Sequence, residues 1–289
     1  MDGIVLINKE KNCTSHDVVS IVKRITKSKV GHTGTLDPNA TGVLPLLLGN
    51  ATKISKYLIN HDKEYKVVLQ LGTKTTTADP EGDIIEEKKV PEKIFKEGYA
   101  QTILEQFIGK QKQVPPIYSA IKVNGKKLYD YARQGQDVKI EPRDIEIYDI
   151  ELLKLNKEEK QIYFRVKCSK GTYIRSLCED IATKFETVGY MKELQRTKVG
   201  TFFIEKSITI EEFEKRIEKN DLSNIISIEQ IFNSKCRIEL DDKALNKYLN
   251  GVQVNQNYSD GVYRIYLKNK FIGLGIVKDK QLKRDLVID

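Results

Sequence analysis

The chain has 289 residues, 49 Lys and Arg against 41 Asp and Glu, a net charge of +8 and 39% apolar residues. That is enough chain for one large domain and a small appended one around real cores, and the charge suits a polyanion. A membrane protein, a secreted disulfide scaffold and a zinc module are all disfavoured: no apolar run nears the roughly 18 residues of a span, residues 1–6 lack the basic n-region expected of a signal peptide, and Cys13, Cys168, Cys178 and Cys236 are scattered.

Residues 4–7 form a short β-type run. Thr14 and Asp17 then make a Thr-x-x-Asp capping box ahead of Val18, Ile21, Val22 and Ile25, which share one helical face. Residues 31–42 are too glycine-rich for a helix and too polar for a buried strand. The apolar run 43–48 carries Pro45, which lacks a ladder donor and predicts an edge strand or a bulge. A short helix is expected over residues 51–59. It leads to a strand in which Tyr65, Val67, Leu69 and Leu71 alternate with Lys66, Val68 and Gln70.

Residues 73–90, rich in Thr, Asp, Glu and Gly, read as a loop, and 92–107 as one amphipathic helix. Pro115-Pro116 opens an extended segment whose Asn124-Gly125 is a hairpin signal. Residues 145–155 and 161–168 read as paired strands, and Gly171 turns the chain into a helix with Ile174, Leu177, Cys178, Ile181 and Phe185 on one face. This order predicts an α+β fold on a mixed or antiparallel sheet, not a doubly wound one. From Cys236 onward, β-type runs at 262–267 and 271–277, punctuated by Lys268-Asn269 and Asp279-Lys280, predict a small, mainly β unit. The expected domains are 1–232 and 233–289.

The densest chemical signal is Gly31-His32-Thr33-Gly34-Thr35-Leu36-Asp37-Pro38-Asn39-Ala40-Thr41-Gly42-Val43-Leu44. A loop of this kind between rigid apolar elements presents side chains instead of packing them. Taken alone, Asp37 before Pro38 reads equally as a turn former. The string resembles the signature of the TruB family of tRNA pseudouridine synthases at every fixed position. The resemblance continues in order through Asp62-Lys63-Glu64-Tyr65-Lys66, Thr77-Ala78-Asp79-Pro80-Glu81-Gly82, Pro115-Pro116-Ile117-Tyr118-Ser119-Ala120-Ile121-Lys122, Ser169-Lys170-Gly171-Thr172-Tyr173-Ile174-Arg175-Ser176-Leu177 and Leu194-Gln195-Arg196-Thr197, and so covers most of residues 3–205.

The resemblance implies a pseudouridine synthase catalytic domain followed by a PUA-like RNA-binding domain. The implied reaction isomerises a flipped-out uridine, at position 55 of the tRNA T loop, with no metal and no organic cofactor. The partner is the T-loop arm of tRNA; no protein partner is required, and the enzyme is expected to be a cytoplasmic monomer. Asp37 matches the catalytic aspartate that attacks the target nucleotide, and Arg175 the arginine that pairs with it. Arg175 lies off the apolar face near the start of its helix, where a cation opposes the macrodipole, so a specific partner competes with a plain solvent-facing reading. Pairing is expected to keep Asp37 ionised.

Tyr65 matches the tyrosine that stacks on the target base, although its phase with Val67 and Leu69 equally predicts core packing. Leu194 matches an apolar residue of the uracil pocket. His32 matches a residue that fills the space left by the flipped base, with a structural histidine as the competing reading. Lys122, Lys126, Lys127, Arg133, Lys170 and Arg196 flank the motifs and are the expected phosphate contacts. The chain departs from the family at Lys9-Glu10-Lys11-Asn12-Cys13-Thr14-Ser15, where members carry Lys-Pro-x-Gly-x-Thr-Ser. Asn12 is still able to adopt the left-handed conformation that glycine would supply. The same chemistry on another RNA, or RNA binding without turnover, remain the rival readings at this point.

Overall fold

The computed structural model describes residues 1–96 and 98–288. Glu97, inside the segment predicted as one helix, and Asp289, at the end of the C-terminal unit, lie outside the described residues.

The first strand, β1 (Gly3–Lys9), is buried along almost its whole length. The turn after it places Asn12 at φ +63°, the left-handed conformation anticipated for it. Helix α1 (Ser15–Thr26) then starts on the predicted capping box: Thr14 Oγ1 accepts from the Asp17 amide, and the Asp17 carboxylate accepts from the Thr14 amide. Short β2 (Val30–His32) precedes the glycine-rich loop, and β3 (Thr41–Leu48) follows it.

Strand β3 corrects the expectation raised by Pro45. It is an interior strand, paired with β1 over seven residues without a bulge. Its other side pairs with β2 only at residues 46–48, and with a later strand only at Thr41 and Gly42. Pro45 falls in the gap between these two pairings, where no ladder donor is needed.

A 3₁₀ turn (Gly49–Ile54) and α2 (Ser55–Leu58) lead into β4 (Lys63–Leu71), which buries Tyr65, Val67, Leu69 and Leu71 as the alternation predicted, and Val68 as well. The predicted loop at 73–90 is instead a hairpin of β5 (Thr73–Thr75) and β6 (Ile84–Glu87). All four β6 residues are exposed, so no buried face marks it in the sequence. The predicted single helix over 92–107 is likewise divided into a 3₁₀ turn (Glu92–Phe95) and α3 (Tyr99–Glu105). Gly98 between them sits at φ +76°, outside helical space.

Strand β7 (Gly109–Gln113) is followed by the small hairpin of β8 (Lys122–Val123) and β9 (Lys126–Lys127), turned by Asn124 and Gly125 at positive φ as the sequence predicts. Then come α4 (Leu128–Arg133), the long pair β10 (Arg143–Asn156) and β11 (Gln161–Cys168), and α5 (Ile174–Lys184), whose predicted apolar face is buried throughout. Strand β12 (Gly189–Val199) was not anticipated. It runs between β3 and β4, completing the order β1-β3-β12-β4-β11-β10-β7, with β2 attached to β3 and short β13 (Phe202–Phe203) attached to β12.

All neighbours in this nine-stranded sheet are antiparallel except β12 and β3, which run parallel over Gln195↔Thr41 and Arg196↔Gly42. The sheet is therefore mixed. Helices α3 and α5 cover the core at one half, where Phe164, Leu177, Ile181 and Phe185 meet. Helices α1 and α6 (Ile210–Glu218) cover the β1–β3 half.

After α7 (Ile228–Ile231), the strands β14 (Arg237–Glu239), β15 (Val254–Asn255), β16 (Gly261–Leu267), β17 (Lys270–Lys278) and β18 (Gln281–Val287) form a second sheet in the order β14-β16-β17-β18-β15. Helix α8 (Asp242–Leu249), packed on this sheet, buries Tyr248, whose hydroxyl donates to the carbonyls of Leu274 and Leu286. The turns at Lys268-Asn269 and Asp279-Lys280 both have positive φ. Leu274 and Leu286 of this sheet pack into the same cluster as Ile4, Leu6 and Phe232. The α+β architecture with a small β unit at its end is the one the sequence predicts. Among the described residues no helix is long and apolar enough to cross a membrane.

Candidate active site

The parallel seam between β3 and β12 organises the site, because the loop carrying Asp37 enters the sheet there. The loop is pinned from several sides. Ser15 Oγ accepts from the Leu36 amide at 2.9 Å and donates to the Leu36 carbonyl at 3.2 Å. Lys9, fully buried, donates to the carbonyls of Pro38, Cys13 and Glu10 at 3.0, 2.7 and 2.8 Å. The Ala40 amide closes a turn on the Asp37 carbonyl at 3.0 Å. The backbone on both sides of Asp37 is thus fixed, while its carboxylate faces a cavity.

Arg175, in the first turn of α5, meets that carboxylate with two nitrogens: Nε lies 3.0 Å from Oδ2 and Nη2 3.4 Å from Oδ1. The remaining donors reach the Tyr118 carbonyl at 3.0 Å and the Thr77 carbonyl at 3.3 Å, and Nη1 lies 3.7 Å from Asp79. A planar fork against a carboxylate is the strong form of ion pair, and three other acceptors hold the fork in place. Asp79 is buried in turn, accepting from the Thr77 hydroxyl and the Glu81 amide.

The electrostatics differ from the sequence expectation in one respect. Arg175 does favour the charged form of Asp37, and Lys9 helps, but burial outweighs both and Asp79 adds to it, so the carboxyl stands above its ordinary range. The cations Arg175 and Lys9 act directly on Asp37, and Lys63 and Arg196 line the same cavity.

A cavity of about 800 Å³ opens in front of Asp37. Tyr65, Leu194, Arg175, Arg196, Lys170, Tyr118 and Tyr173 all contribute to its wall. Tyr65 is 8% exposed and belongs to the main core as well, so its core and cavity roles coexist. Burial pushes its phenol up to about 12, with the neighbouring Arg196 guanidinium opposing.

The matches with known proteins follow the same residues. The family described as TruB family pseudouridylate synthase (N terminal domain) matches residues 23–174, and tRNA pseudouridylate synthase B C-terminal domain matches 175–250. The protein called tRNA pseudouridine synthase B in Clostridium tetani is 45% identical over 282 residues, covering 95% of each chain. Its namesake in Caldanaerobacter subterraneus is 42% identical over 288 residues, covering 98% of each. The chain belongs to the TruB family of pseudouridylate synthases. It is accordingly an isomerase.

The TruB fold extends to more distant proteins. A structure of an H/ACA RNP bound to a substrate RNA containing 2′-deoxyuridine superposes with a TM-score of 0.70 at 23% identity, covering 99% of this chain and 85% of that one. A Cbf5-Nop10-Gar1 complex gives 0.69 at 24%, covering 99% and 83%.

Against this TruB framework, the remaining residues singled out from sequence fall in different places. Lys170 is exposed at the cavity rim and donates to Asn60. Lys122 and Lys126 lie on the β8–β9 hairpin beside the cavity and not in its wall; the Lys126 ammonium sits over the Tyr131 ring. On the same hairpin, Lys127 donates to the Tyr129 hydroxyl at 2.9 Å, and Arg133 at the end of α4 packs over the Tyr129 ring. His32 ends β2 outside the wall; its Nδ1 accepts from the Gly34 amide at 3.3 Å, and burial lowers its pKa.

Arg196 departs most from the sequence reading. Expected as a phosphate contact, it is 1% exposed, and its guanidinium donates to backbone carbonyls of the Asp37 loop. Sequence reasoning passed over Lys9 and gave Asp79 no role. A signal existed for each: Lys9 follows the apolar run 4–7 in one strand, and Asp79-Pro80 repeats the Asp37-Pro38 pattern. Among the described residues no group of His, Cys, Asp and Glu has the arrangement of a metal site.

Proposed function

We propose that this chain isomerises uridine to pseudouridine in tRNA, at position 55 of the T loop, with Asp37 as the attacking carboxylate. The carrying observation is the two-nitrogen contact of Arg175 on Asp37 at the floor of a cavity walled by Tyr65 and Leu194. That geometry holds a carboxylate in a set direction without neutralising it covalently, as a nucleophile requires. In this reading the target uridine leaves its stack, enters between Tyr65 and Leu194, and is detached, turned and rejoined through carbon. Its exit from the stack costs a few kcal/mol, offset by aromatic stacking and by the cationic wall.

The relatives named tRNA pseudouridine synthase B, alike over nearly the full length, support tRNA as the substrate. Lys122, Lys126 and Lys170 supply charge for the phosphate backbone of the T arm. His32 is assigned the space that the target base vacates when it leaves its stack. The unit 233–289 is assigned to RNA binding, following the 1–232 catalytic unit.

The test is to incubate the full chain with unmodified tRNA transcripts and map pseudouridine by position. Product at the T-loop uridine, abolished in Asp37→Asn with RNA binding retained, supports the proposal. Full turnover in Asp37→Asn, or product only elsewhere, overturns it.

A further inference from the structure

Among the described residues Arg196 is the largest side chain that is almost completely buried, and none of their carboxylates pairs with it. A buried cation ordinarily pairs with an anion or has its hydrogen-bond donors saturated. Arg196 follows the second course in one direction only: Nε donates to the Val43 carbonyl at 2.9 Å, Nη1 to Thr35 at 3.4 Å and Nη2 to Gly34 at 3.2 Å. Gly34 and Thr35 precede Asp37 and Val43 follows it, so a single guanidinium ties both ends of the loop that presents the carboxylate.

The Arg196 backbone reinforces this arrangement. It pairs with Gly42 across the parallel seam, and a Cβ on Gly42 would stand 2.2 Å from the Arg196 carbonyl oxygen, so the strands approach too closely for any other residue there. On the antiparallel side Arg196 pairs with Tyr65. Its guanidinium is near enough to the Tyr65 phenol to act on it electrostatically. Arg196 is therefore tied through its side chain to the frame of Asp37 and through its backbone to Tyr65, which lines the same cavity.

We propose that Arg196 is a positioning residue: it fixes the Asp37 loop relative to Tyr65, and so sets the distance across which the target nucleotide reacts. This rests on the reading of Asp37 as the attacking group. A lysine would keep the charge yet lack the planar fork needed to span three carbonyls on two segments.

The test uses the full chain carrying Arg196→Lys, with four measurements against wild type: turnover at saturating tRNA transcript, RNA affinity as a function of salt, amide hydrogen exchange over residues 33–44, and thermal stability. Turnover is expected to fall about 10²-fold, the scale on which a displacement near 1 Å is felt, with affinity and its salt slope unchanged within about twofold. Exchange over 33–44 should accelerate. In Arg196→Gln, which removes the charge, a salt slope reduced by about one with turnover intact would make Arg196 a phosphate contact and overturn the proposal. Lower thermal stability with turnover intact would reduce it to a packing role and also overturn it.

Should Arg196→Lys not fold, Arg196→Gln, which keeps a planar amide with two donors, carries the same readouts. If wild-type protein makes no pseudouridine, the functional reading fails, and hydrogen exchange still decides the clamp: unchanged protection over 33–44 in a folded variant refutes it.

Discussion

One guanidinium serves two carboxylates: Arg175 holds Asp37 at 3.0 and 3.4 Å and stands 3.7 Å from Asp79. Geometry and charge are both carried by this fork, so Arg175→Lys should fold normally and still lose turnover by about 10²-fold, because an ammonium keeps the charge and gives up the two-point orientation. Single-turnover conversion of a tRNA transcript measures it; a loss confined to affinity would contradict the assignment.

The pH profile follows from the raised Asp37 pKa. The carboxylate is lost as pH falls through that raised value, so the acid limb of kcat/KM should lie above the region near 4 where a free aspartate titrates. Arg175 pulls the pKa down and Asp79 pushes it up. Arg175→Gln should therefore move the limb to higher pH, and Asp79→Asn to lower pH. Shifts in the reverse directions would show that the limb belongs to another group.

Tyr65 stays protonated through the neutral range, with its phenol pushed up to about 12 by burial. Wild-type activity should show no basic limb near 10, where an exposed tyrosine ionises. Tyr65→Phe keeps the ring in the core and should retain the fold and RNA affinity while losing turnover if the hydroxyl handles a proton. Tyr65→Ala adds a cavity and should cost about 3–5 kcal/mol of stability, as other large aromatic truncations do. Chemical denaturation of the two variants separates these effects.

Electrostatic attraction of the phosphate backbone predicts a steep salt dependence of RNA affinity. Lys122→Ala and Lys126→Ala should each weaken binding at every salt concentration and lower the slope of log K against log salt by about one. A slope untouched by both variants would place the RNA backbone elsewhere.

The C-terminal sheet is fastened to the main body by Asp285, whose carboxylate is 7% exposed and accepts from the Tyr57 hydroxyl at 2.7 Å and from Lys56. Asp285→Ala leaves a half-buried phenol without its acceptor, and a lost partner of this kind costs about 1–3 kcal/mol. Faster proteolytic release of the segment beyond residue 232, at unchanged secondary structure, is the expected outcome.

Much of this was legible in the residues. The loop around Asp37 could be read because glycines, a proline and polar residues stood between apolar elements, and α5 because its buried positions keep one helical period. Strand β12 could not. Its charged and polar residues take partners within the fold, Arg196 on loop carbonyls, Thr197 on Glu64 and Glu193 on Lys11, so a central strand carries the composition of a surface one. Pro45 misled for a related reason: what a proline excludes is a donor at one point, and the sheet happens to need none there. The part played by Asp79 depends on a distance across the fold that no local pattern encodes.

Arg175 keeps a ring of acceptors beyond Asp37: the carbonyls of Tyr118 and Thr77, and the carboxylate of Asp79. In the proposed reaction the nucleotide consumes the negative charge of Asp37, and the arginine is not stranded, since it keeps its other acceptors. The pocket wall need not rearrange to accommodate a changing charge, and when the product leaves, the carboxylate returns to a partner that has not moved. Readiness for the next substrate is thus built into the resting contacts.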